Sequence, residues 1–187
     1  MSIIGAIYGN WRSIGITGCH SGPLTLRKVG AKNWELAEPC LYRVEWKRGP
    51  LCLVIPSGYR CDGASIPRRF RDVVDPEWAI DWSILHDLLY ETQGGSRQYR
   101  VWQIDGTYRL ADLVDWRTNE RISISRAEAD AILRAGWELG SGMPADMADC
   151  GYAAVRTFGR DAWLSEEPST VANTMASAEE WCTSAVA

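Results

Sequence analysis

Residues 40–91 read CLYRVEWKRGPLCLVIPSGYRCDGASIPRRFRDVVDPEWAIDWSILHDLLYE, and within them the hydrophobic period changes from two to the helical repeat. Leu41, Arg43, Glu45 and Lys47 alternate with Tyr42, Val44 and Trp46, the pattern of a half-buried strand. Cys52 to Ile55 is a continuous apolar run, and Lys47-Arg48-Gly49-Pro50 stands between the two as a turn, so a hairpin is expected. The Gly- and Pro-punctuated segment SGYRCDGASIPRRF follows as a loop. Asp75 then takes an N-cap position and Pro76 the first helical position, where its missing N–H costs nothing. Trp78, Ile84, Leu85, Leu88 and Leu89 give this helix a wide apolar surface, with His86 one turn after Trp82 and one before Tyr90. A hairpin leading into a buried helix predicts an α+β fold, with N-terminal antiparallel β hairpins or a small sheet packed on a bundle of about three helices.

Working outward, the segment from Ser2 to about Asp62 is rich in Gly and short apolar runs, a small β element. Residues 92–124 read as an inserted excursion in which Asp105-Gly106 joins two β-prone runs, the mark of a tight hairpin. Ser125 with Glu128 forms a capping box, and the helix it opens runs to Gly140 as its stop. A third helix is expected from Pro144, carrying Met147, Cys150, Ala154, Val155 and Phe158 at near-helical spacing before Gly159. Beyond Trp163 the chain turns small, polar and weakly periodic. The reading is a single α+β domain over residues 1–163, with the inserted hairpin at 92–124, and a C-terminal tail over 164–187 that is loosely held or ordered on a partner subunit.

The 187 residues suit one domain, and 46% apolar with 24% charged residues excludes disordered, collagenous and coiled-coil chains. Net charge is −4, so no global basic field gathers nucleic acid, and none is expected as a partner. Ten Trp beside two Phe is an unusual balance that core and interface packing would use, as would carbohydrate or base stacking. The six cysteines show no C-x-x-C pair or Cys/His cluster, so a zinc site is not expected. The opening residues lack a basic signal-peptide region, and no run approaches the ~20 apolar residues of a transmembrane segment. Free, mostly buried thiols in a cytoplasmic protein are the expectation.

The chemistry-bearing residues are Asp62-Gly63-Ala64-Ser65-x-Pro67 in a loop, His86-Asp87 on one helix and Asp130 on the next. Consecutive helical residues point about 100° apart, so His86 and Asp87 flank a cleft rather than face one point. Asp62 and Asp87 are candidate ligands of a hard cation such as calcium, because Gly63 lets the loop turn and offer carbonyl oxygens beside the carboxylates. Asp130 accepting from one imidazole nitrogen would fix the tautomer, leaving the other to take a proton from water as general base for ester hydrolysis. His86 and Asp130 are thus the candidate catalytic pair. The same residues also suit a structural role: Asp62 and Ser65 capping a turn, His86 bonded in the core, and Asp130 paired with Arg126 or Arg134. His20 is the sole other histidine, too few for an HD phosphohydrolase, and G-x-S-x-G, Walker A and G-x-G-x-x-G are all absent.

The order W-x-L, YRV, VIPSGYRCDGASIPRRF, ILHDLLY, RAEADAIL and AAVRTFGRDAW, from about Trp34 to Trp163, resembles the DUF1353 family of unknown function, small proteins common in tailed phages and prophages. The resemblance implies a phage or prophage source and an α+β fold. The chain is more weakly similar to microbial secreted phospholipases of the A-two type, which carry a DG-C-S-x-x-P loop, an HD-x-x-Y helix and an Asp on the following helix. That similarity implies His86 as general base, Asp87 and Asp62 as calcium ligands, Asp130 as the partner of the histidine, and Tyr90 as the tyrosine of the HD helix. The chain departs from it at Ala64, where a disulfide-forming Cys stands, in lacking the Cys beside the HD pair, and in the hairpin between His86 and Asp130.

Two readings follow. The first is a phage virion or assembly-associated structural protein of tail, baseplate or a similar particle component, whose Trp-rich surface contacts other virion proteins or a second copy. The alternative is a calcium-dependent phage envelope hydrolase, a phospholipase-like esterase acting on a lipid or other ester through a His-Asp dyad. Either would be made in the host cytoplasm, and the first would end in the virion.

Overall fold

The structure, a computed structural model, describes residues 11–30, 33–63 and 76–165. A short 3-10 turn at Trp11–Ile14 leads into β1 (Ile16–Ser21), β2 (Leu26–Lys28), β3 (Trp34–Leu36), β4 (Cys40–Trp46), β5 (Leu51–Ile55) and β6 (Arg60–Cys61). Helix α1 (Pro76–Glu91) follows, then β7 (Tyr99–Trp102) and β8 (Tyr108–Ala111). The helices α2 (Arg126–Ala135), α3 (Ala145–Phe158) and α4 (Arg160–Leu164) complete the chain, with a π turn at Gly136–Gly140 continuing α2. The fold class is α+β, as the change of period implies. The expected stop at Gly140 is reached through that π turn, and the third helix starts one residue after Pro144. The Asp75 cap lies outside the described residues.

The strands form three small antiparallel sheets, ordered β1-β4-β5, β2-β3-β6 and β7-β8. The hairpin expected around Gly49 is β4–β5, with Cys40, Tyr42, Val44 and Trp46 buried and Leu41 exposed. That inner face meets α1: the Tyr42 hydroxyl donates to the Asp81 carbonyl at 2.7 Å, and its ring stands edge-on to Trp82 at 5.4 Å. Glu35 ties the second sheet together by accepting from Arg27 and Arg60.

Trp82 is the centre of the core. It is wholly buried and lies flat against Gly136 and Gly140, where an added Cβ would stand 2.0 Å and 2.5 Å from the indole. Glycine on one face of the π turn therefore lets α1 and α2 approach closely. The Trp137 indole N–H closes the same seam on the Ala79 carbonyl at 3.0 Å. At the capping box, Ser125 and Glu128 exchange side chain and backbone bonds as their spacing predicts.

The excursion between α1 and α2 leaves and returns at one point, since the Ile124 N–H donates to the Gly94 carbonyl at 2.9 Å. Its hairpin is fastened to the second sheet by a Tyr59–Val101 bridge and by the Trp102 N–H on the Gly58 carbonyl at 2.8 Å. Gly58 has φ +84°, and a Cβ there would lie 2.2 Å from the Trp102 carbonyl oxygen, so no larger residue fits. The five described cysteines are all free thiols, four of them buried; Cys182 lies outside the described residues.

Candidate functional site

His86 and Tyr90 are four residues apart on α1 and so lie on one side of it, facing α2. Both meet Asp130: His86 Nε2 lies 3.0 Å from Oδ1, and the Tyr90 hydroxyl donates to the same oxygen at 2.6 Å. The other oxygen, Oδ2, accepts from Arg156 of α3 at 2.7 Å, with Arg126 Nε 3.7 Å away. Arg126 reaches further, bonding the Tyr90 oxygen at 3.2 Å and the carbonyls of Val155 and Arg156 at the end of α3. Three helices thus converge on a carboxylate with no solvent exposure.

Burial pushes the Asp130 carboxyl up, but the bonds and charge from His86, followed by Tyr90 and Arg156, outweigh it and hold the group below the usual carboxylate range. An ionised Asp130 is an acceptor only, which places the imidazole proton on Nε2. Among the described residues the imidazole has no other hydrogen-bond partner, and His86 keeps 8% exposure. With the proton on Nε2, Nδ1 has the character of an acceptor.

The second group of the site is a pair of carboxylates. Asp87 hydrogen-bonds Asp62, which follows β6, and Glu91 stands one turn further along α1. Burial, then the charge of Asp62, pushes the Asp87 carboxyl well above the ordinary value. Asp87 Oδ2 is buried without a hydrogen-bond partner. Glu91 accepts from the Tyr59 hydroxyl and the Arg100 N–H, so it is engaged elsewhere. Two carboxylates this close need a shared proton or a cation between them. The orphaned oxygen is a hard donor of the kind calcium prefers. Among the described residues no group of three or more His, Cys, Asp or Glu side chains could hold a metal.

The sequence-predicted residues fall into two contacts: His86 with Asp130, and Asp87 with Asp62. Gly63 turns the loop with φ +79°; Ala64, Ser65 and Pro67 lie outside the described residues. A family model described as a protein of unknown function, DUF1353, matches residues 34–155. The chain belongs to the DUF1353 family. No curated protein and no solved structure matches it. The DUF1353 segment contains Asp62, His86, Asp87 and Asp130, whereas Arg156 stands one residue past its end.

Of the two ion-pair partners considered for Asp130, Arg126 lies near it, but Arg134 is taken by Asp149 and Glu138. The sequence reading missed Arg156. Its only signal is a lone arginine on a helix two elements later, and nothing in local spacing connects that position to Asp130. Tyr59 and Glu91, which wall the acidic pair, were missed for the same reason.

Proposed function

We propose that this DUF1353 protein is a hydrolase of carboxylic esters, using His86 as general base, Asp130 as its orienting partner, and Asp62 with Asp87 as a calcium site. The observation that carries the reading is the division of labour at the imidazole: Nε2 is committed to a buried, ionised carboxylate while Nδ1 has no partner among the described residues. A core histidine held for structure alone is expected to have both nitrogens satisfied. Nδ1 would take a proton from a water as that water attacks the ester carbonyl, and then return it to the leaving alcohol. Asp130 keeps the tautomer and stabilises the imidazolium, and Tyr90 and Arg156 keep Asp130 ionised and fixed. Calcium, when bound at Asp62 and Asp87, would supply positive charge toward the developing oxyanion. The resemblance to phospholipases of the A-two type supports this arrangement, and the resemblance to phage and prophage proteins would make the substrate a lipid ester of the host envelope.

The test is release of fatty acid from a glycerophospholipid by the purified chain, with calcium and with chelator. Calcium-dependent release is expected, and His86→Ala and Asp87→Asn should each lower it at least about a hundredfold. An unaltered rate in either variant, or no release from any ester offered, sinks the reading.

A second reading, a component of a phage particle's tail or baseplate made in the host cytoplasm, is favoured by one observation. The excursion between α1 and α2 exposes Trp116, a large apolar side chain suited to burial against another chain. It predicts that the protein purifies with particles and that Trp116→Ala reduces its incorporation.

A further inference from the structure

The outer face of the β7–β8 hairpin is used by none of the site's contacts. Its register pairs Arg100 with Leu110 and Trp102 with Tyr108, so these four share one face, while Tyr99 and Val101 point into the core. Tyr108 and Leu110 are exposed, and Ile104 in the connecting turn is fully so. The Arg60 guanidinium lies over the Trp102 ring at 4.3 Å, that of Arg100 over Tyr108 at 5.2 Å, and the two rings are 5.4 Å apart. Arg100, and Arg60 in its ion pair with Glu35, are thus held among aromatic rings behind an aliphatic tip. The stretch from Ser96 to Ala111 carries three arginines, Arg97, Arg100 and Arg109, to one acid, Asp105, although the chain's net charge is −4, and of the three Arg100 lies on the outer face. Asp105 is engaged by the Thr107 N–H and hydroxyl.

We propose that this hairpin docks the protein on the surface of an anionic phospholipid bilayer. Trp and Tyr rings are amphipathic and settle at headgroup depth, where arginines meet the lipid phosphates. Ile104 and Leu110 would enter the acyl boundary beyond them. A protruding turn between four-residue strands suits that insertion better than it suits a protein partner, which needs about 800 Å² of flat surface on each side. Among the described residues no helix is long and apolar enough to cross a membrane, so the hairpin would hold the protein at the surface.

The hairpin's base gives the docking a consequence. Its bonds run to Gly58 and Tyr59, just before the strand that ends at Asp62, and from Arg100 to Glu91, one turn past Asp87. A docked hairpin holds both carboxylates, and with them His86, beside the lipid. That a docked lipid is then the substrate rests on the hydrolase reading; the docking does not.

Co-sedimentation of the full chain with vesicles tests it, comparing phosphatidylcholine alone with phosphatidylcholine containing phosphatidylglycerol. Binding to the anionic vesicles alone is expected. Ile104→Asp should weaken it about tenfold or more, the loss of one buried aliphatic side chain, and Arg100→Gln about fivefold. His86→Ala should bind as the parent does, which separates docking from catalysis: binding without ester release overturns the hydrolase reading and leaves this one standing. Absence of sedimentation, equal binding to both vesicles, or an Ile104→Asp variant that binds undiminished overturns the proposal. So does a parent that ignores vesicles but self-associates in light scattering, with Ile104→Asp monomeric, since the face would then belong to a protein contact.

Discussion

Replacing Asp130 by alanine should cost this fold a large part of its stability. The carboxylate is the common acceptor of His86, Tyr90 and Arg156, and it has no solvent to substitute for it. Removing it strands a guanidinium whose side chain is 23% exposed. Breaking a buried ion pair from one side costs roughly 3–5 kcal/mol. The Tyr90 hydroxyl keeps its contact with Arg126, and the imidazole edge retains some access to water, so their losses add at most about 1 kcal/mol. The sum of about 3–6 kcal/mol is a large share of the ~5–15 kcal/mol of an ordinary domain. At ~2–4 °C per kcal/mol for this size, Tm should fall by roughly 6–24 °C. Urea unfolding followed by tryptophan fluorescence gives the free energy, and a melt followed by circular dichroism gives Tm. Tyr90→Phe is the internal control, as it removes one donor while leaving the ion pair, and should cost about 1–2 kcal/mol. If Asp130→Ala loses under about 1 kcal/mol, or no more than Tyr90→Phe, the carboxylate is not what joins the three helices and the site geometry argued above is wrong.

Gly136→Ala sets helix propensity against packing: alanine is favoured by about 1 kcal/mol in a helix, but its Cβ would stand 2.0 Å from Trp82, so a lower Tm is expected and a rise would refute the close seam. Asp115, Glu35 and Asp130 all have carboxyls held below the ordinary range by hydrogen-bonded arginines and N–H groups that outweigh burial. Their stabilisation is complete above about pH 5 and is lost as pH falls through about 4 and lower, so the urea midpoint should drop in acid. Asp115→Asn should flatten that slope, and a midpoint constant down to about pH 3 would contradict the assignment. Ser125→Ala removes the capping bond to the Glu128 N–H and should cost about 1 kcal/mol in the same urea assay; a loss indistinguishable from zero would mean the box does not hold the helix start.

What the chain discloses in advance depends on range. The β4–β5 hairpin, the Ser125 capping box and the turn at Asp105-Gly106 are local features, and a window of a few residues contains their physics. The His86–Asp130 contact spans 44 positions, yet it was inferable, because α1 and α2 each present an apolar face and an embedded polar group on such a face needs a partner. Arg156 escaped notice because a charged residue near a helix end looks the same whether it faces water or a buried acid. The π turn was invisible for another reason. Gly140 reads as a helix stop and Gly136 as one more helical position, whereas both make room for Trp82, a residue more than fifty positions earlier in the chain.

The last described residues are clasped by the turn behind α1: Gln93 donates to the Trp163 carbonyl at 2.7 Å and Arg97 to that of Ser165 at 2.9 Å. The chain at Ser165 is therefore leashed to the turn between the histidine helix and the projecting hairpin. Force applied at Ser165 would load that turn before it reached the β4–β5 hairpin. A fluorophore attached there would sense events at the imidazole helix, even though it stands at the opposite end of the primary structure from the first strand.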